Sequence, residues 1–286
     1  MIKIKNLTKY YGKFKSLDKV NLTVKKGIIF GFIGPNGAGK STTIKCLMNI
    51  LNYEGEIYID NKLITKEDIK YKRNIGYLPS DLEVYEDMRT LEFIKYNSTF
   101  YDFDTMTKAM ELVNELKLDL TKRVSELSFG NLKKLGIVIA LMHDPNILIL
   151  DEPTTGLDPL MQEVFYQILR KSKEEGKTIF FSSHNLKEVS GLCDDVAIIK
   201  EGKIIKIDNI SELIGKKIVT ITGNYDKIRK KINKEIIEEN KNSVKFVYSG
   251  KLNKLLKLIE ETQFEDLLIE NSELEEVFLT YYKEEK

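Results

Sequence analysis

The chain has 286 residues, 42% hydrophobic and 31% charged, which supports one large domain or one of ordinary size with a small companion. Its 45 lysines and arginines nearly cancel its 44 aspartates and glutamates, so no global positive field argues for nucleic acid. The two cysteines, Cys46 and Cys193, form no CxxC pair and read as buried thiols of a reducing compartment, not as a disulfide.

From the start, Met1 to Leu7 alternates apolar and polar residues like a strand and has no signal-peptide core. Val20, Leu22 and Val24 alternate, a turn follows at Lys26-Gly27, and Ile28 to Ile33 is a nearly unbroken apolar run, so strands fill 1–33. After a glycine-rich stretch, Ile44, Leu47, Met48 and Leu51 recur at the spacing of one helix face. Alternation returns over Glu56 to Asp60, and a short strand is predicted from Asn74 to Leu78. Residues 88–142 read as mostly helical. Their longest apolar stretch, Leu135 to Met142, is far short of the about 18 residues of a membrane span, so a cytoplasmic protein is expected, with any membrane role reached through a partner.

Ile147 to Leu150 is a bare apolar run with the character of a buried parallel strand, followed by a helix over 160–175 and a strand over 178–182. Val196–Ile199 and Ile204–Ile207 make a hairpin through Glu201-Gly202. Strands alternating with helices predict an α/β protein with a parallel sheet. Beyond about residue 215 the order becomes βαββαβ, which predicts a small ferredoxin-like α+β appendage. Its last helix, over 272–283, opens with the capping pattern Ser272 to Glu275 and carries a stripe of Leu274, Val277, Phe278 and Tyr281.

Gly34-Pro35-Asn36-Gly37-Ala38-Gly39-Lys40-Ser41 fits G-x-x-x-x-G-K-[ST] between a strand and a helix, the context that phosphate binding requires. The glycines let the backbone N–H groups of roughly Gly37 to Ser41 converge on phosphate oxygens, helped by the positive end of the helix. Lys40 is expected to reach the β- and γ-phosphates of ATP and Ser41 to ligate Mg²⁺. Thr42 either adds a phosphate hydrogen bond or is an ordinary first-turn residue. Asp151-Glu152 ends the apolar run of 147–150, so a parallel strand delivers both carboxylates to the sheet edge where the loop sits. Asp151 is placed to hold Mg²⁺, and Glu152 to act as general base toward an attacking water. A carboxylate pair at a strand end is by itself more often a cap; beside this loop it reads as catalytic.

Asp151-Glu-Pro-Thr-Thr-Gly-Leu-Asp158-Pro, Leu127-Ser-Phe-Gly-Asn131 and Ser182-Ser-His184 complete a set of motifs over residues 1–210. In that order they resemble the ATP-binding subunits of ABC transporters. The resemblance implies a P-loop NTPase core over 1–214, with a RecA-like parallel sheet, an antiparallel β subdomain and a helical subdomain at about 82–135. The appendage would then occupy 215–286. It further implies ATP hydrolysis with Mg²⁺ in a head-to-tail homodimer, where Ser128 and the N–H of Gly130 cap the γ-phosphate bound by the opposite copy. His184 resembles the switch histidine at that phosphate, Asp158 the dimer-interface aspartate, and Tyr11 the aromatic that stacks on adenine, with Tyr10 and Phe14 close by. His143 has no motif around it and reads as a helix-end residue.

Two departures stand out. Phe129 and Asn131 replace a glycine and the glutamine of the usual Leu-Ser-Gly-Gly-Gln signature, which Leu127 to Asn131 resembles. Ser80, in Ile75-Gly-Tyr-Leu-Pro-Ser80-Asp81, stands where the family has a glutamine that reaches the metal and the water. Serine is too short for that reach: either a water molecule or Asp81 substitutes, or the change is a tolerated subgroup variation without consequence. The overall look is similar to bacterial exporters of drugs, antimicrobial peptides or lipids of the bacitracin-resistance kind, at the cytoplasmic membrane face beside a separate permease. Importers share the same core motifs. A soluble ABC ATPase acting on ribosomes or DNA is the second reading. Such proteins usually carry two ATP-binding units or a long coiled coil between the motifs, and neither is found here. A small-molecule kinase leaves the signature and His184 unexplained.

Overall fold

The computed structural model describes residues 1–65, 67–214, 216–225, 228, 229, 232, 236–260, 264–271 and 278. Strands β1 (Ile2–Tyr11) and β2 (Phe14–Val24) form an antiparallel pair. Strand β3 (Ile29–Ile33) leaves for a second sheet, and β4 (Glu54–Ile59) and β5 (Lys62–Leu63) return to the first, whose order is β2-β1-β4-β5. The alternation seen in the sequence works as expected: Ile2, Ile4, Val20, Leu22, Val24 and Ile57 are all buried on one face.

The second sheet adds β6 (Ile75–Leu78), β7 (Ile147–Asp151), β8 (Thr178–Ser183), β9 (Asp195–Lys200) and β10 (Lys203–Asn209), in the order β10-β9-β3-β8-β7-β6. All neighbours are parallel except the β9–β10 hairpin. That hairpin turns through Glu201 and Gly202, both at positive φ (47° and 75°), as its twist requires. Every residue of β3, β7 and β8 is buried, because both faces of these strands are covered.

The covers on the two faces differ. Phe30, Phe32 and Phe180 pack toward the antiparallel sheet and helix α1 (Lys40–Leu47). Two helices, α2 (Thr90–Ser98) and α3 (Met106–Glu115), precede α4 (Phe129–Leu141) and α5 (Pro159–Glu174) in the chain. Ile29, Ile33 and Phe181 face the other way, into a core shared with Leu135 and Val138 of α4 and Phe165 and Leu169 of α5. The long helical stretch of 88–142 is thus three helices, with a short 3-10 turn at Val124–Glu126. Helix α1 is shorter than predicted: Asn49 at φ +53° turns the chain away, so Leu51 lies past the helix and is only half-buried against the same core. Two short helices escaped the sequence reading, α6 (Leu186–Leu192) and α7 (Ile210–Ile214).

The third sheet holds β11 (Lys217–Gly223), β12 (Ile236–Asn240), β13 (Ser243–Tyr248) and β14 (Phe264–Asn271), in the order β12-β13-β11-β14 with every neighbour antiparallel. This order suits the βαββαβ succession. Its core sets Val219, Ile221, Val244 and Phe246 against Leu255 and Ile259 of helix α8 (Leu252–Glu260), with Ile228 and Ile232 beside them. The helix expected over 225–232 is described only in part, and the one over 272–283 lies outside the described residues apart from Phe278. That side chain packs against the core of α4 and α5. Cys46 and Cys193 are buried free thiols, and burial pushes the Cys46 pKa up to about 11. Among the described residues no helix is long and apolar enough to cross a membrane.

Candidate active site

The glycine loop connects β3 to α1, and two of its glycines are needed for their backbone. Gly37 (φ +79°) and Gly39 (φ +106°) are left-handed. Gly34 is required for space instead, since a Cβ there would lie 2.4 Å from the Ile199 carbonyl oxygen. Lys40, nearly buried, folds back over the loop and donates from Nζ to the carbonyls of Gly34 (2.7 Å) and Pro35 (3.2 Å). The same ammonium lies 3.3 Å from Glu152 Oε1. Ala38 is buried under the loop with its N–H given to the Pro35 carbonyl at 3.2 Å, so that amide is engaged within the loop.

The carboxylate pair ends β7, whose partner β8 sets Ser182 opposite Asp151. Asp151 is fully buried. Its Oδ1 accepts from Ser182 Oγ at 2.7 Å, while Oδ2 has no hydrogen-bond partner among the described residues. A buried carboxylate oxygen left without a donor is costly and calls for a cation. Mg²⁺ fits, because it prefers hard oxygen donors and takes only one or two from protein when phosphates supply others. Ser41, at the neighbouring cavity wall, offers the second oxygen. Among the described residues no three His, Cys, Asp or Glu side chains gather into a metal site of their own, so these two residues and the nucleotide would have to hold the ion.

Glu152 follows at φ +49°, a left-handed backbone that costs a glutamate about 1–2 kcal/mol. Its N–H donates to both the carbonyl (3.3 Å) and the hydroxyl (3.1 Å) of Ser182, which holds the turn. The turn sends the carboxylate back across the loop. Oε1 faces Lys40, and Oε2 lies 2.7 Å from His184 Nδ1. The His184 segment is braced by Glu188 of α6, which accepts from Thr154 Oγ1 (2.9 Å) and Ser183 Oγ (3.0 Å).

Lys40, Glu152 and His184 border one open cavity of about 550 Å³, which Asp151 and Ala38 do not line. It brings together Tyr11, Asn36, Gly37, Gly39, Lys40, Ser41, Thr42, Ser80, Glu152 and His184. Phe14 joins Tyr11 at its edge and Tyr10 does not; the Lys9 ammonium sits 5.2 Å above the Tyr11 ring. Ser128, Gly130 and Asp158 do not line it. Ser128 caps α4, accepting from Asn131 Nδ2 at 3.0 Å, and Asp158 caps α5, accepting from the Met161 N–H at 3.0 Å. Gly130 packs so closely that a Cβ would fall 2.6 Å from the Gly156 carbonyl. Phe129 reaches the cavity and covers Gly156, where a Cβ would meet its ring at 2.2 Å.

At the substituted position, Ser80 Oγ donates to Asp81 Oδ2 over 3.4 Å, and both residues border the cavity. The Ser80 carbonyl accepts from Lys133 Nζ at 2.9 Å. Lys133 was missed in the sequence. The available signal was its place on α4 in register with Gly136, Ile137 and Ala140, all buried.

Comparison with known proteins turns this geometry into an assignment. The chain matches the ABC transporter family over residues 17–155. It is 39% identical to the bacitracin transport ATP-binding protein BcrA of Bacillus licheniformis, over 72% of this chain and 69% of that one. It is 37% identical to the lantibiotic transport ATP-binding protein SrtF of Streptococcus pyogenes, over 77% of this chain and 98% of that one. The chain belongs to the ABC transporter ATP-binding proteins. A solved dimeric bacterial ABC transporter cassette has the same fold, with a TM-score of 0.68 and 27% identity over 73% of this chain and 99% of that one. This ABC ATPase therefore binds and hydrolyses ATP on a P-loop core, as the ATP-binding subunit of a transporter. The match over 17–155 takes in the glycine loop, Ser80, the signature and the carboxylate pair; His184 and Asp158 lie beyond it.

Proposed function

We propose that this ABC ATPase powers export of an antimicrobial peptide or similar drug or lipid through a separate permease, at the cytoplasmic face of the membrane. The cargo class rests on the bacitracin and lantibiotic transport relatives. The core would span 1–214 and the ferredoxin-like unit 215–286, a division supported by the separate apolar core of the third sheet.

The observation that carries the reaction is the bridge made by Glu152 between Lys40 and His184. A nucleotide in the cavity lays its phosphates along Asn36 to Thr42, where Lys40 exchanges its carbonyl and carboxylate contacts for phosphate oxygens. Ser41 and Asp151 would hold Mg²⁺, which neutralises charge on the transferred phosphoryl group. Glu152 then takes a proton from a water aligned with the γ-phosphate, and His184, hydrogen-bonded to the same carboxylate, fixes its direction. Tyr11 offers a face for adenine. Ser128, Gly130 and Asp158 lie outside this copy's cavity, which suits a head-to-tail pair in which the signature of one copy closes the site of the other.

Glu152→Gln tests the scheme. Phosphate release should fall by about 10²–10⁴-fold, the range of a general base. ATP binding should survive, and an ATP-bound dimer should accumulate on size exclusion. A monomer of this variant hydrolysing at the wild-type rate would sink both the base and the sandwich.

A further inference from the structure

Lys133 is a buried cation that the scheme above leaves unused. It stands on α4, five residues after Ser128, and is only 5% exposed. Among the described residues its ammonium makes one hydrogen bond, to the Ser80 carbonyl at 2.9 Å. Desolvation lowers its pKa, and the charges of Asp151, Asp81 and Glu152 are near enough to oppose that fall. An ammonium in such a place is expensive to bury, and removing it alone would leave the Ser80 carbonyl and the nearby carboxylates without their partner. Packing alone therefore does not explain the lysine.

Its surroundings offer another reason. The segment that ends β6 is pressed against α4: a Cβ on Gly136 would fall 2.7 Å from Leu78 Cδ1 and 3.3 Å from Leu82 Cδ2. Ser80 itself has only a weak side-chain contact, to Asp81 at 3.4 Å. At the first residue of α4, Phe129 enters the cavity and covers Gly156. One rigid helix thus touches the nucleotide cavity at its first residue and the Ser80 loop one turn later.

We propose that Lys133 is a positioning residue for ATP hydrolysis: it ties the Ser80–Asp81 loop to the signature helix and keeps a positive charge among Asp81, Asp151 and Glu152. This inference rests on the site reading above. The long reach that Ser80 lacks is supplied from the opposite side, by a lysine that grips the loop's backbone. The loop then follows α4 when the signature moves. Without the lysine the loop loses its anchor and the carboxylates their nearby cation, while the glycine loop keeps its own hold on the nucleotide.

The test compares Lys133→Met and Lys133→Arg with wild type and Glu152→Gln. For Lys133→Met, kcat should fall by about tenfold or more with KM for ATP within about threefold, because ordering of the reacting groups is lost and not binding. Amide hydrogen exchange should quicken most at residues 79–82, and the thermal midpoint should fall, since the Ser80 carbonyl and the nearby acids lose their partner. Lys133→Arg should restore most of kcat. An unchanged kcat in the Met variant, exchange at residues 79–82 no faster than in wild type, or an Arg variant no better than Met would each overturn the proposal. Retained hydrolysis in Glu152→Gln would instead overturn the underlying site reading; its loss beside a wild-type-like Lys133→Met would remove Lys133 alone.

Discussion

Ser182 donates a hydrogen bond from its hydroxyl to Asp151 and accepts one from the N–H of Glu152, so one small side chain sets the direction of both carboxylates. Ser182→Ala should lower kcat by about 10-fold or more, the usual effect of losing an outer partner of a metal-binding group. It should also destabilise the fold by about 1–3 kcal/mol, since Asp151 Oδ1 is left buried without its donor. Phosphate release and urea unfolding measure the two effects, and an unchanged rate would deny Ser182 any part in aiming the pair. Asp151 and Glu152 were legible from an apolar run ending in two acids. The task of Ser182 was not, because it depends on strand register across 31 residues of chain. The left-handed backbone of Glu152 was also invisible, as nothing local in the sequence asks a glutamate to adopt it.

At the scale of elements, α4 is joined to β6 at both ends. Lys133 holds the Ser80 carbonyl, and His143, just past the helix, lies with Nε2 3.2 Å from the Ile75 carbonyl and its ring stacked on Tyr101 at 4.6 Å. Sequence reading left His143 as a helix-end residue; its burial comes from a contact across 68 residues. That burial pushes the imidazole pKa below the ordinary histidine value. The folded state therefore resists a proton that the unfolded chain accepts, and stability is lost as pH falls below about 6.5, at up to about 1.4 kcal/mol per pH unit. His143→Gln should flatten this part of the stability profile between pH 7.5 and 5.5 in urea unfolding. An identical slope in both proteins would place the proton uptake elsewhere. The strongly patterned elements were readable for a plain reason: β3 and β7 are apolar runs, and α5 has a clear stripe. Helices α6 and α7, at seven and five residues, are too short for periodicity to show.

Over the whole molecule, the third sheet keeps a core of its own, and none of its residues borders the nucleotide cavity. Its strand order followed from the succession of elements alone, whereas the covering of the parallel sheet by two unlike layers needed the pairing of distant strands. Tyr11 stands half-exposed at the cavity rim in a chain with 14 tyrosines, 13 phenylalanines and no tryptophan. Tyr11→Trp would make residue 11 the sole indole of the protein, and excitation beyond the tyrosine band would then address that one point. Adenine stacking should quench its emission as ATP is added, so a titration would read occupancy optically and without turnover in the Glu152→Gln background. Emission indifferent to ATP would put the adenine elsewhere on the rim, with Phe14 the next surface to probe.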